Sequence, residues 1–171
     1  MVKILGCVLV LASSVLLGIY YSFRDGYRMA NLSEIRKALI ILKSEITFSA
    51  TLPEALLSIS DRLEAGVSGF FLLAGTRLTE KPSEESAVIW RECLKEGLAH
   101  SYLVNEDIEC LERLGETLGG LGKTAQEDGV DMAIMYIDSK VDELRGSEAK
   151  NKKLYRSVGA AGGLLITILM I

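Results

Sequence analysis

The sequence predicts an all-α protein in which an antiparallel six-helix bundle is flanked by N- and C-terminal transmembrane helices. Three observations indicate this fold. Apolar runs occupy both ends of the 171-residue chain, proline occurs only twice, and apolar residues in the charged middle recur every three or four positions. The expected domains are a transmembrane helix over residues 1–22, the bundle over 23–153 and a second transmembrane helix over 154–171.

The N-terminal run is long enough to cross a bilayer. Ile4 to Tyr21 is 18 residues without a charge, and a helix of that length spans about 27 Å, close to the hydrocarbon core of a membrane. Phe23 and Arg24 follow it, as is typical of a membrane boundary. A cleaved signal peptide is the alternative, but no convincing small-residue cleavage site follows the run.

The C-terminal run, Leu154 to Ile171, is also 18 residues long. Arg156 lies near its start, where the side chain can extend to the lipid headgroups. Gly159 and Gly163 have the small-xxx-small spacing that lets two membrane helices approach closely, so they are candidate helix-packing residues. That spacing is also common by chance.

The cations that flank the two runs predict the orientation of the protein. The outer sides offer only Lys3, whereas the inner sides hold Arg24, Arg28, Lys150, Lys152, Lys153 and Arg156. Positively charged flanks stay on the cytoplasmic side of a membrane. We therefore expect a membrane protein whose bundle faces the cytoplasm.

Two capping boxes mark the first helices of the bundle. Asn31-Leu32-Ser33-Glu34 is expected to open one helix, and Thr51-Leu52-Pro53-Glu54 to open the next, with proline in the first turn where it is tolerated. Gly66 is the expected stop of that second helix. The two apolar stripes are Leu32, Ile35, Leu39, Leu42 and Ile46, and then Leu52, Leu56, Ile59 and Leu63.

Four more amphipathic helices complete the predicted bundle. The third covers about residues 67–78, and Pro82 separates it from the fourth. Asn105 is expected to cap the fifth helix, the glycines at 119, 120 and 122 to form a turn, and the sixth helix to start near Lys123 and to continue towards the C-terminal run. The apolar positions are Phe70, Phe71 and Ala74; Ala87, Trp90, Leu94 and Leu98; Ile108, Leu111, Leu114 and Leu118; and Val130, Ile134, Ile137, Val141 and Leu144.

Composition argues against several functional classes. The net charge of −4 gives no general attraction to nucleic acid. His100 is the only histidine, and the three cysteines (Cys7, Cys93 and Cys110) are far apart, so neither a zinc site nor a disulfide framework is expected. We expect no catalytic residue, no cofactor, no metal and no small-molecule substrate.

Gly122-Lys123-Thr124 matches the end of a nucleotide-binding phosphate loop. The full pattern requires a glycine five positions before Gly122, where Thr117 stands, and a preceding β-strand, where an amphipathic helix is predicted. We interpret these residues as a corner between two helices. A nucleotide-binding enzyme is therefore the alternative that the residues do not favour.

The predicted fifth helix carries an acidic run. We expect most of it to be a solvated face, and a patch recognised by a basic partner is the alternative. Glu116, followed by Gly119 and Gly120, lies at the expected corner, where its carboxylate can cap the next helix or face an arginine of a partner. The run consists of Glu106, Asp107, Glu109, Glu112 and Glu116.

The segment from Leu111 to Leu121, Leu-Glu-Arg-Leu-Gly-Glu-Thr-Leu-Gly-Gly-Leu, carries a family resemblance. It resembles the Gly-Glu, Ser-Gly, Leu pattern in the cytoplasmic six-helix domains of type II secretion platform proteins (the F component). Gly115 and Glu116 match the first pair, and Gly119-Gly120 stands where that family has Ser-Gly. Platform proteins normally have two bundles and three spans, whereas this chain is expected to have one bundle.

The whole layout, with Gly159-Ala160-Ala161-Gly162-Gly163-Leu164-Leu165-Ile166 in the last run, resembles the stage III sporulation protein AB family of endospore-forming bacteria. That resemblance implies a non-catalytic platform subunit in the mother-cell membrane, within a secretion-like complex between mother cell and forespore. It implies a secretion-type ATPase and other membrane subunits of that complex as partners. A two-span membrane adaptor or sensor unrelated to secretion stays the alternative.

Overall fold

The computed structural model describes the backbone of residues 2–48, 51–63, 66–120 and 122–170, and the side chains of residues 23–48, 51–63, 66–119 and 122–147. The residues so described form six helices and no strand, which confirms the all-α class. The helices are α1 (Val2–Thr47), α2 (Leu52–Ser60), α3 (Ser68–Glu80), α4 (Ser86–Gly97), α5 (Asn105–Gly120) and α6 (Lys123–Met170).

The chain divides into two compact units. One is Arg28–Val141, and the other combines Met1–Tyr27 with Asp142–Ile171, so α1 and α6 contribute residues to both. The sequence predicted a bundle over residues 23–153, and Arg28–Val141 is the compact helical unit within that range. All the contacts described below belong to this unit, which we call the bundle.

Helix α1 does not begin at Asn31, as the sequence predicted. It is continuous from Val2 to Thr47, and the hydroxyl of Ser33 donates to the carbonyl oxygen of Met29 at 2.8 Å. A serine that bonds to the carbonyl four residues earlier is satisfied inside a helix, so it does not have to act as a cap. The predicted apolar stripe is nevertheless confirmed, because all five of its residues are buried: Leu32, Ile35, Leu39, Leu42 and Ile46.

The predicted start of α2 is confirmed. Glu54 accepts hydrogen bonds from the backbone N–H of Thr51 at 3.3 Å and from its hydroxyl at 2.7 Å, and the pKa of the Glu54 carboxyl is lowered chiefly by the bond from that hydroxyl. The helix ends at Ser60, earlier than the predicted stop. Gly66 has a φ of 130°, a conformation that glycine adopts without strain.

Helices α3 and α4 meet through aromatic side chains. The ring of Phe70 lies edge-on to Phe71, with centroids 4.8 Å apart, and edge-on to Trp90, with centroids 5.0 Å apart. Gly97 lies directly against Phe70, since a Cβ on that glycine would be 2.7 Å from the Phe70 Cα. Such edge-to-face pairs are favoured by the ring quadrupole, and all three rings are buried.

Four pairs of neighbouring helices run antiparallel, as predicted. Along α1 and α6, Arg36 is paired with Asp138, whereas Lys43 is paired with Asp131, seven residues earlier in α6. Contacts between α4 and α5, between α5 and α6, and between α3 and α4 also pair later residues of one helix with earlier residues of the other. The predicted stripe of α6 is largely confirmed, because Val130, Ile137, Val141 and Leu144 are buried and Ile134 is partly buried.

Membrane crossing is not shown by the part of the chain that the structure describes. Among the described residues, no helix combines the length and the apolarity that crossing a bilayer requires. The predicted spans, residues 1–22 and 154–171, lie outside the residues whose side chains are described, and so do Gly159 and Gly163. The spans and the packing role of these glycines therefore stay predictions.

Candidate functional site

The acidic run of α5 contains one buried carboxylate. Asp107 is 1% exposed and accepts two hydrogen bonds from Arg28 of α1, from Nε and Nη2, each 2.8 Å long. The hydroxyl of Tyr136 in α6 donates to the same carboxylate at 2.9 Å, and the backbone N–H of Val104 donates at 3.0 Å. One side chain thus links three helices and caps the start of α5.

This arrangement corrects two expectations for α5. Asp107 does not belong to a solvated face, unlike Glu106, Glu109 and Glu116, which are exposed. Asn105 is inside the helix rather than its cap, and the orphan N–H of Val104 is bonded to Asp107 instead. The spacing of charges alone did not distinguish Asp107 from its neighbours, because Arg28 and Tyr136 come from distant parts of the chain.

The ionisation of the three linked groups follows from their contacts. Burial opposes the charge on Asp107, but the hydrogen bonds from Arg28, Val104 and Tyr136 outweigh it and hold the pKa of this carboxyl below its ordinary value. The bond to Asp107 raises the pKa of Arg28. Burial, followed by the bond to Asp107, raises the pKa of Tyr136 far above its ordinary value. At neutral pH the cluster is therefore a carboxylate, a guanidinium and a neutral phenol.

Gly115, a predicted site residue, lies against the Trp90 ring. The Nε1 of Trp90 donates to the carbonyl oxygen of Leu111 in α5 at 2.8 Å. A Cβ on Gly115 would lie only 2.1 Å from the Trp90 Cδ1, so a side chain at this position cannot coexist with the ring in its observed place. Gly115 thus allows α4 and α5 to pack closely, and it offers no surface to a partner.

The other predicted site residues of α5 have different surroundings. Glu116 is exposed and forms an ion pair with Arg91 of α4, with a distance of 3.2 Å between Oε1 and Nη2. Gly119 faces α4, where a Cβ would be 3.2 Å from the Cβ of Ser86. Gly120 is the last residue of α5, and its surroundings lie outside the described residues. Since α6 starts at Lys123, the connection is shorter than the glycine turn that the sequence predicted.

An open groove of about 610 Å³ runs between α5 and α6. Its two helices touch closely at Gly129, where a Cβ would be 2.6 Å from the methyl carbon of Thr117. The groove is lined by Cys110, Arg113, Leu114, Glu116 and Thr117 of α5 and by Gly129, Met132, Ala133 and Tyr136 of α6. Burial raises the pKa of the Cys110 thiol, so this thiol is neutral at physiological pH.

Two methionines lie at this groove on the outer side of α6: Met132 lines it, and Met135 is three residues further along the helix. Met132 is 72% exposed and Met135 is 71% exposed. They are three residues apart in a helix and therefore point to the same side. We call this pair the methionine ridge. Neither residue was predicted as exposed from the sequence, although both lie outside the predicted apolar stripe of α6, which includes Val130, Ile134 and Ile137.

The comparisons with known proteins agree with one another. A family model described as "Stage III sporulation protein AB" matches residues 3–171. The chain belongs to the stage III sporulation protein AB family. A relative from Bacillus subtilis (strain 168), "Stage III sporulation protein AB", is 28% identical over 171 residues, which are 99% of each chain. A role related to sporulation follows from this membership.

A solved structure of stage III sporulation protein AB supports the fold. It matches with a TM-score of 0.67 at 24% identity, and the match covers 72% of this chain and 98% of the solved chain. The predicted resemblance to the family is therefore confirmed. The further resemblance to the F component of type II secretion stays a prediction, because these matches concern the stage III sporulation protein AB family alone.

Proposed function

We propose that this protein is a non-catalytic platform subunit of a secretion-like membrane complex between mother cell and forespore. Its helical bundle faces the cytoplasm of the mother cell and docks a secretion-type ATPase, while the two terminal helices anchor it among other membrane subunits. Family membership supports the sporulation part of this proposal. The resemblance of Leu111–Leu121 to platform proteins supports the secretion part.

The observation that carries the docking role is the methionine ridge, a pair of exposed apolar side chains next to an open groove of the bundle. Large apolar side chains such as Trp90, Phe70 and Phe71 fill the core of the bundle. Met132 and Met135 are nevertheless held in solvent next to an open groove. Clustered exposed apolar groups mark protein interaction sites, and methionine adapts well to a partner's surface.

The two apolar runs and their flanking cations support the membrane part of the proposal. A bundle attached at both its ends stays close to the bilayer, which suits a subunit that holds a cytoplasmic protein near membrane partners. The inner flanks hold more cations than the outer ones, as expected for a bundle in the cytoplasm.

Orientation is tested by labelling the full-length protein with a membrane-impermeant maleimide. A cysteine is placed at His100, which is exposed, in a chain whose Cys7 and Cys110 are replaced by serine. We expect labelling only after protoplasts are lysed. Labelling of intact protoplasts would place the bundle outside the cell and would contradict the proposal.

ATPase docking is tested by isolating the tagged full-length protein from detergent-solubilised membranes of sporulating cells. We expect the secretion-type ATPase to be recovered with it, and to leave the membrane fraction in a strain that lacks the protein. A tagged membrane protein of another family serves as control. Membrane localisation without any effect on the ATPase would favour the two-span adaptor instead.

A further inference from the structure

The methionine ridge and the groove between α5 and α6 form one continuous surface. Met132 belongs to both, since it lines the groove and is 72% exposed. Met135 extends the apolar surface by almost one helical turn. The groove has a volume of about 610 Å³, and its wall also includes Leu114, Ala133 and the ring of Tyr136. This space is large enough for several apolar side chains of a partner.

Contacts between α5 and α6 hold the two sides of the groove in place. The close contact of Gly129 with Thr117 and the bond from Tyr136 to Asp107 fix α5 and α6 at two points along its length. The amide of Gln126 also donates to the carbonyl oxygen of Leu118 at 3.0 Å. A surface that is already ordered loses little conformational entropy when it binds.

Unpaired negative charge lies beside this surface. The groove lining itself holds one carboxylate, Glu116, which is paired with Arg91, and one cation, Arg113. Glu109 lies one helical turn before the groove residue Arg113, and Asp128 lies one turn before Met132. Both carboxylates are exposed, and neither belongs to an ion pair among the described residues. The guanidinium of Arg113 contacts the backbone carbonyl of Glu109, not its carboxylate.

We infer that this surface binds a basic amphipathic helix of a partner protein. The apolar face of that helix covers Met132 and Met135 and fills the groove, while its lysines or arginines face Glu109 and Asp128. This recognition combines the helix-in-groove mode with electrostatic complementarity. The inference rests on the proposed docking function and adds the chemistry of the segment that docks.

A second copy of this chain is a poorer occupant of the same surface. In a symmetric dimer each copy would present the same patch to the other. The carboxylates of Glu109 and Asp128 would then come close to their own equivalents, and like charges brought together across an interface are unfavourable.

The test uses full-length protein in nanodiscs of zwitterionic lipid and two fluorescent 18-residue peptides. Both peptides have leucine at helical spacing; one carries lysine at its polar positions and the other carries glutamate. Binding is measured by fluorescence anisotropy, with empty nanodiscs as background. We expect saturable binding of the lysine peptide that weakens as salt is raised, and no saturable binding of the glutamate peptide.

Variants locate the binding surface. Met132→Ser combined with Met135→Ser should weaken binding of the lysine peptide by about tenfold or more, because the apolar contact is lost. Glu109→Gln combined with Asp128→Asn should weaken it severalfold and reduce its salt dependence. Leu72→Ser is the matched control: Leu72 is 52% exposed on α3, far in sequence from the groove, and this change should leave the affinity unaltered.

Three results would overturn the inference: equal binding of the two peptides, unchanged affinity in the methionine variant, or equal losses in that variant and in Leu72→Ser. Dimerisation that the methionine variant abolishes would likewise replace the partner helix with a second copy. The outcome is separate from that of the proposed function. ATPase recovery that is normal in the methionine variant would leave the platform role intact and refute this surface as its docking site.

Discussion

Arg28 and Asp107, 79 residues apart in sequence, form a two-pronged ion pair with both N–O distances at 2.8 Å. The pair joins α1 to the start of α5, and Tyr136 adds α6. Since Asp107 is almost completely buried, its charge depends on these partners. The pair is therefore a structural element of the bundle, and its removal has predictable consequences.

The first prediction concerns the loss of this charge. Asp107→Asn should lower the free energy of unfolding by about 3 kcal/mol, because it leaves the guanidinium of Arg28 without its counter-ion in a mostly buried position. Urea unfolding followed by circular dichroism measures the loss. Asp138→Asn is the matched control, since Asp138 pairs with Arg36 at the surface, and it should change stability little. Equal effects of the two variants would contradict this account.

The second prediction concerns pH. The pKa of Asp107 is lower in the folded than in the unfolded chain, where it is about 3.8, so ionised Asp107 stabilises the fold above that value. This contribution should be lost as the pH falls through the folded-state pKa, below 3.8. Urea unfolding between pH 7 and pH 2 should show the loss in the natural protein, and Asp107→Asn should remove that part of the pH dependence. An unchanged pH profile in the variant would show that other carboxylates are responsible.

The third prediction concerns the contact between Gly115 and Trp90. Gly115→Ala should destabilise the bundle by about 2 kcal/mol or more, because the new methyl group would overlap the indole ring. Thermal unfolding and the fluorescence of Trp90, the only tryptophan, should both change. Gly146→Ala is the control, since a Cβ there would meet nothing within 4 Å, and alanine is the better helix former. It should be neutral or stabilising.

The fourth prediction separates the structural and partner-binding roles of Glu116. Its ion pair with Arg91 is exposed, so Glu116→Ala should cost at most about 1 kcal/mol. If the carboxylate also contacts the ATPase, less ATPase should be recovered with the variant at unchanged thermal stability. Arg91→Ala breaks the same pair and keeps Glu116. Equal losses of ATPase in both variants would indicate that the pair, and not a contact of Glu116 itself, is what matters.

The predictability of the fold differs between local and distant features. The buried stripe of α1 followed from spacing alone, because side chains three and four residues apart share one side of a helix. The bond of Glu54 to the Thr51 backbone was also predictable, since it involves residues within one turn. The predicted helix start at Asn31 was wrong, because the hydroxyl of Ser33 is satisfied by the carbonyl oxygen of Met29 inside a longer helix.

The candidate site was only partly visible in the sequence. The acidic run was predicted to be mostly a solvated face, with a patch for a basic partner as the alternative, and its spacing did not distinguish Asp107 from the other acidic residues. Gly115 was predicted as a site residue because it matches the pattern of the secretion platform family. In the structure a glycine is needed at this position because the ring of Trp90 leaves no room for a side chain. The methionine ridge was not predicted, because an apolar residue in an amphipathic helix is usually buried.

The sequence by itself determined the all-α class, the apolar stripes and the resemblance to the sporulation family. These depend on spacing within single helices and on short motifs. Only the tertiary structure decided that Asp107 is buried with Arg28, that Gly115 makes room for Trp90, and that Met132 and Met135 are exposed. The physical reason is that burial and pairing depend on which helices pack together, and residues far apart in sequence decide that.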